Sequence, residues 1–242
     1  MGGGIAGLNA ALTLRDAGYA STVYEASNRV GGRMHSDTTS WANGQVSEHC
    51  GELVDSDHKA IQKLASRFNI SLTDLLSAEP IHSDETYYFF GTYYTRDPAN
   101  IDFGPVYNAV HKDKNAASYP TLYNLSTPAG QVLDVAYNIE YGNVTSQQSS
   151  LNLIYLLSFQ PIPGNFRIFG RSDERYHLTG GNERLPKAIA ASLPAGSVKL
   201  NWAMTAIAAN ADGSFTLSFS TPTGPQSATF DRVIRALPFS VL

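Results

Sequence analysis

Cysteine is almost absent: Cys50 is the only one in 242 residues, so no intrachain disulfide can form. Charge is sparse at 16%, and no run of lysine or arginine stands out. The net charge of −4 and a pI near 5.8 leave no basic surface for nucleic acid, so no nucleic-acid partner is expected. Long apolar runs are missing too. The longest, residues 151–159, is too short to cross a bilayer and reads as core, so no membrane partner is expected. No signal peptide precedes the first motif. The expectation is a soluble protein of unassigned compartment, with a secretion signal lost upstream left open. Internal repeats and low-complexity tracts are absent as well. What remains, 43% hydrophobic, is the composition of a globular protein of one large domain or two small ones.

Glycine is present in informative places. Gly2-Gly3-Gly4-Ile5-Ala6-Gly7 reads G-x-G-x-x-G. In that pattern one glycine permits a tight turn, the second lets backbone approach a pyrophosphate, and the third lets a helix pack closely on a sheet. The phosphates then sit over the free amides and positive dipole end of the helix. Ile5, Leu8, Ala11, Leu12 and Arg15 recur at helical spacing, and Gly18 is placed to end the helix. A β-prone run, Ser21-Thr22-Val23-Tyr24, leads to Glu25. An acid about 20 residues past the glycines is the expected ligand of a ribose diol.

A second cluster, Arg29-Val30-Gly31-Gly32-Arg33, adds two adjacent glycines and a guanidinium able to fork onto phosphate oxygens. Residues Tyr24 to Arg33 resemble the signature of the flavin-containing amine oxidase superfamily. Glu48-His49-Cys50-Gly51-Glu52-Leu53-Val54-Asp55 resembles that family's segment alongside the flavin. Leu178-Thr179-Gly180-Gly181-Asn182-Glu183-Arg184-Leu185-Pro186 resembles its G-G-N turn into a helix, and Val233 to Ser240 its strand ending in A-L-P-F-S. The resemblance implies an α/β fold: an FAD-binding Rossmann-like doubly wound sheet of the glutathione-reductase type, a small antiparallel sheet and a mostly helical substrate-domain insertion. It implies FAD as cofactor. Gly2, Gly4 and Gly7 would face the pyrophosphate beside Ile5 and Ala6, and Glu25 with Ala26 would sit at the adenosine ribose. Gly32, Arg33 and Met34 would contact the phosphates and flavin side, and Gly51, Glu52 and Leu53 would line the flavin. Met204 would pair its backbone with adenine, its alternative being a core strand residue.

The implied activity is oxidation of a small-molecule amine to an imine, with dioxygen as acceptor and hydrogen peroxide as product. Alternatives are a non-catalytic FAD-binding fragment and a flavin desaturase or porphyrinogen-type oxidase. No catalytic residue is named. The family's intact members admit a homodimer. Only Met1 stands where the family's first strand would be, and the chain stops at Leu242, so a fragment shortened at both ends is expected. Val54 or Asp55 holds the place where L-amino acid oxidases carry an arginine that clamps the substrate carboxylate. That points to an amine without a carboxylate.

The expected organisation is an FAD-binding domain from residues 1–55 and 175–242, interrupted by a partial substrate domain over 56–174. Helices are expected at 58–68, 102–115, 131–141, 149–157 and from about 183, and a hairpin turning at Gly91-Thr92. Strands are expected at 175–178, 198–200, 203–209, 214–220, 228–230 and 233–236. The tyrosines around the hairpin read as one core face and one surface face, and Cys50 as a small buried hydrophobe. His49, Cys50, Asp55, Asp57 and His58 match no zinc-ligand pattern, so no metal is expected.

Overall fold

The computed structural model describes residues 1–81, 83, 86–89, 91–112, 127–149, 151, 152, 155 and 167–238. They fall into two compact units, Met1–Ser77 with Glu174–Leu242, and Ala78–Asp173. Among the described residues, no helix is long and apolar enough to cross a membrane.

The first unit is organised around α1 (Ile5–Asp16). Its apolar spacing buries Leu8, Ala11 and Leu12, which share a core with Leu185 and Ile189 of α5 (Arg184–Ser192). Arg15 stays on the same face but reaches out of the core, donating to the Ser192 carbonyl at 2.7 Å. The helix closes with paired bonds from Gly18 N–H to Arg15 and from Tyr19 N–H to Leu14, both 2.9 Å. That geometry places Gly18 at φ +83°, where a side chain is disfavoured. Asp16 at the helix end accepts from Arg67 and Arg15, which hold its carboxyl down at about 2.

The strand β1 (Val23–Tyr24) pairs in parallel with β8 (Val198–Lys199). On its other side Gly2 N–H donates to the Tyr24 carbonyl at 2.9 Å. Met1 then links to the segment beyond: its carbonyl accepts the Ala236 N–H at 2.8 Å. The expected strand at 233–236 does not form: among the described residues its backbone bonds are to Met1, through Ile234 and Ala236, and one such bridge does not make a ladder. Arg235 in that segment is exposed, as expected, and Phe239 and Ser240 lie outside the described residues.

The small antiparallel sheet is present, with β10 (Phe215–Thr221) between β9 (Ala203–Ala209) and β11 (Gly224–Phe230). Its third strand is longer than the expected 228–230. Leu217 and Phe219 bury against Tyr24, whose ring stacks on Phe219 at 4.5 Å.

Two further pairs complete the unit. The strands β2 (Ser36–Asp37) and β3 (Ser47–Glu48) pair antiparallel, as do β4 (Leu72–Asp74) and β7 (Tyr176–Leu178). Arg175 binds Asp74 at 2.6 Å and holds its carboxyl below the usual range. Between these pairs lies α2 (Lys59–Arg67), with Ala65 buried and Ile61, Leu64 and Phe68 packed on the core. Its cap position is His58, whose ring accepts the Asp55 N–H instead of capping the helix. Residues 59–74 thus pack within the first unit, past the boundary near 56 that the sequence suggests.

In the second unit β5 (Thr86–Phe89) and β6 (Thr92–Thr95) form the hairpin. Phe89 faces Thr92, so Thr92 is a strand residue and not part of the turn. Tyr94 is buried and Tyr93 and Tyr88 are exposed, the alternation of a strand with one wet face. The helix α3 (Arg96–Lys112) begins six residues ahead of the expected 102. The helix α4 (Pro128–Tyr141) begins at a proline because Thr127 caps it, accepting the Gly130 N–H. The expected helix at 149–157 lies mostly outside the described residues.

Leu8 is fully buried in the core that α1 shares with α5. Leu8→Ala is expected to cost about 2–5 kcal/mol, read as a lower urea midpoint at unchanged slope.

Candidate functional site

Two glycine-rich turns meet at the N-terminal end of α1. Gly31 N–H donates to the Gly3 carbonyl at 2.8 Å, and Gly4 and Gly31 form a parallel bridge. The approach is backbone on backbone: a Cβ on Gly32 would lie 3.3 Å from the Gly4 Cα. Gly7 has no room for a side chain either, since a Cβ would stand 2.0 Å from the Gly2 carbonyl oxygen. Arg29 braces the second turn by donating to the Gly32 carbonyl at 2.9 Å.

Gly4 is different. Its φ of −74° suits any residue, and a Cβ there would meet no protein atom nearer than 3.9 Å. The space it keeps open lies between the two turns. The first helical bond runs from Leu8 N–H to the Gly4 carbonyl, so the amides before Leu8 lack a carbonyl four residues back within the helix. Gly4 has no side chain to cap them, and no acid stands in the first turn. Ile5 is half-buried there and Ala6 is exposed.

Glu25 closes one side. Its carboxylate accepts from Gly3 N–H at 2.6 Å and from the Ser27 N–H and hydroxyl, each at 2.8 Å. These three bonds leave about one of roughly four acceptor positions for a ligand. Ala26 beside it is exposed. On the other side Arg33 is exposed, and among the described residues no ion pair holds it. The Met34 side chain, by contrast, is buried in the core, which leaves its backbone facing the turns.

The segment 51–53 is brought to the same end. A Cβ on Gly51 would contact the Arg33 carbonyl at 3.6 Å. Asn182 fixes this segment. Its amide nitrogen donates to the carbonyls of Gly51 at 2.9 Å and Glu52 at 2.6 Å, and its oxygen accepts the Leu178 N–H. Below it the Glu48 carboxylate is fully buried, accepting from the Ser36 hydroxyl and the Asn182 N–H and lying 2.9 Å from His177 Nε2. Sequence reasoning assigned no role to Arg29, Ser36, Glu48 or Asn182. Arg29, Glu48 and Asn182 each stand inside one of the motif segments, but the meeting of Glu48 with His177, 129 positions away, carries no local signal.

Cys50, expected in the core, is exposed. It sits where the chain leaves β3 for the exposed residues 51 and 52, and Val54 is the residue that turns inward. Met204 lies on β9 with its side chain half-buried against the Tyr24–Phe219 cluster. Trp202, two residues before it, donates its N–H to the Glu25 carbonyl at 2.8 Å.

A helix N-terminus between two glycine turns, with an acid after β1 beside them, is the arrangement that dinucleotide-binding folds share. The chain matches the family described as flavin containing amine oxidoreductase over residues 5–242, and it belongs to that family. Among solved structures it resembles putrescine oxidase bound to putrescine, with a TM-score of 0.75 at 20% identity, covering 98% of this chain and 57% of that one. It also resembles cyclohexylamine oxidase from Brevibacterium oxydans IH-35A, with a TM-score of 0.69 at 21% identity, covering 95% and 55%. A stretch of 76 residues, 30% of this chain, is 37% identical to an L-amino-acid oxidase of Mus musculus, of which it covers 11%. The chain thus spans little more than half of the structural relatives.

Asn182→Ala removes one acceptor and two donors at a buried site. The expected cost is about 2–4 kcal/mol, with hydrogen exchange at residues 51–54 rising before global unfolding.

Proposed function

We infer that the chain binds FAD and serves the oxidation of a small-molecule amine to an imine, with dioxygen as the acceptor. The observation that carries the binding reading is Gly4. Nothing in the protein requires glycine there, yet its Cα borders the open space between two amide-bearing turns. A pyrophosphate in that space would have the α1 amides and dipole on one side. Gly32 backbone and the Arg33 guanidinium would lie on the other. Glu25 would take the ribose hydroxyls through its remaining acceptor position. Met204 would offer backbone groups to the adenine, and Gly51, Glu52 and Leu53 would border the flavin.

When bound, the flavin supplies the hydride-accepting chemistry. The protein's part is to hold and orient the cofactor and keep its neighbourhood fixed. Asn182 and Glu48 serve that by tying residues 51 and 52 to the G-G-N turn. The doubly wound sheet of the family and a homodimeric assembly belong to this same reading.

The substrate reading is an amine without a carboxylate. Val54 is buried and paired with Tyr176, and Asp55 accepts the Glu174 N–H, so neither place offers a cation. The similarity to putrescine and cyclohexylamine oxidases points the same way.

The test has two arms. The purified chain is titrated with FAD, following the flavin band and fluorescence quenching. FAD is expected to bind and ADP to compete. Glu25→Gln should weaken FAD at least tenfold while FMN affinity, lacking an adenosine ribose, stays unchanged. Loss of FAD binding altogether overturns the reading. In the second arm a loaded sample is mixed anaerobically with putrescine or with an L-amino acid. Bleaching by the diamine alone is the expected result. Bound flavin that neither amine bleaches would leave the cofactor reading standing and overturn the activity.

A further inference from the structure

The ribbon of β2 and β3 has two faces with different chemistry. In its register Ser36 opposes Glu48 and Asp37 opposes Ser47. The Ser36 hydroxyl and the Glu48 carboxylate meet on the inner face, where Glu48 is fully buried. Strand alternation therefore turns His35, Asp37, Ser47 and His49 outward. One residue beyond the ladder, His49 N–H donates to the His35 carbonyl at 2.8 Å, so the two histidines are cross-strand neighbours. Their ring centres lie 4.5 Å apart, with the planes tilted by 35°. His49 is exposed and His35 half-buried, which leaves the rings room to turn about their own bonds.

The separation of the rings has a chemical meaning. A metal ion about 2.0 Å from one nitrogen of each ring would sit about 3.2 Å from each ring centre. Two centres 4.5 Å apart then subtend about 90° at the metal. A right angle is the cis angle of tetragonal and octahedral coordination, whereas tetrahedral zinc spreads its ligands to about 110°. The charge beside the pair also suits a cation. Ser40 and Thr39 donate to the Asp37 carboxylate at 2.9 and 3.0 Å and hold it down at about 2, and His49 lies near enough to lower it further. Among the described residues, no set of three histidine, cysteine or carboxylate ligands stands together, so water would fill the remaining positions.

We propose that His35 and His49 form a two-imidazole chelate for a divalent transition metal of tetragonal or octahedral preference, Cu(II) or Ni(II), on the outer face of the ribbon. One imidazole alone is a weak ligand. Once it is bound, the second binds intramolecularly at a high effective concentration. Both rings must be neutral to ligate, so the metal competes with protons. The ion joins the two strands from outside, as Ser36 and Glu48 join them from within. The ligand pair is created by strand pairing and has no sequence motif of its own.

The probe is Ni(II), since Cu(II) would also react with the exposed Cys50 thiol. It is titrated by calorimetry into the whole chain carrying no affinity tag. Expected is one saturable site whose affinity falls as the pH is lowered, and a melting temperature that rises with metal. His35→Asn and His49→Asn should each weaken binding at least tenfold. The double variant should be no weaker than either single one, because a chelate is lost with its first arm. Cys50→Ser and His58→Asn should leave the affinity unchanged. Melting without metal shows that each variant folds, and in the unaltered chain paramagnetic broadening of amide signals locates the ion at residues 35–37 and 47–49. The absence of a saturable site overturns the proposal. So does binding that survives His49→Asn, binding lost in Cys50→Ser or His58→Asn, or broadening centred elsewhere in the chain.

Discussion

Contact between bare backbones at residues 3–4 and 31–32 sets the rest of the first unit. The Gly31 N–H to Gly3 carbonyl bond pulls the second turn over the start of α1. A side chain at Gly32 would press on the Gly4 backbone and part the two turns, and one at Gly7 would strike the Gly2 carbonyl and distort the first turn itself. The consequences spread outward. The turn that follows Gly32 puts Met34 into the core and Arg33 into solvent, and it brings β2 into position opposite β3. Arg29 then has the Gly32 carbonyl within reach and locks the turn. On the proposed reading a pyrophosphate would meet mainly backbone groups there, and these need no reorganisation on binding.

A second clamp lies beneath it. A buried carboxylate is expensive unless its lone pairs are satisfied. Glu48 meets that condition with the Ser36 hydroxyl, the Asn182 amide and the His177 ring. Those partners come from two stretches far apart in sequence, Ser36 and residues 177–182. The bonds of Asn182 to residues 51 and 52 extend the clamp to the segment beside Arg33. Segments that resemble a family signature one by one are here a single hydrogen-bonded object.

Much of this was legible in the sequence, and for stated reasons. The apolar spacing of α1, the terminating Gly18 and the acid at 25 are local signals, and local signals survive translation into structure. The antiparallel sheet followed from the strand-like stretches at 203–209 and 214–220. What sequence could not supply was pairing at a distance. The segment at 233–236 has strand composition, yet strand identity depends on a neighbour, and Met1 gives it one bridge only. Cys50 looked like core by residue type, but the chain faces outward at that turn. The start of α3 at Arg96 is not legible in the sequence because Arg96 to Ile101 carry no strong apolar stripe. Glu48 and His177 meet only in the fold.

The pairing of β4 with β7 has a topological meaning. Leu72–Asp74 and Tyr176–Leu178 are the last ordered strand before the chain leaves the first unit and the first after it returns. The Arg175–Asp74 ion pair and the Leu75 N–H to Arg175 carbonyl bond cinch the same neck. The exit and re-entry are thus held side by side by bonds that owe nothing to residues 78–173. Lengthening an excursion whose ends are already joined costs little chain entropy, growing only with the logarithm of its length. The intervening stretch is in this sense a cassette. Its length and sequence can change without breaking the bonds that close the neck.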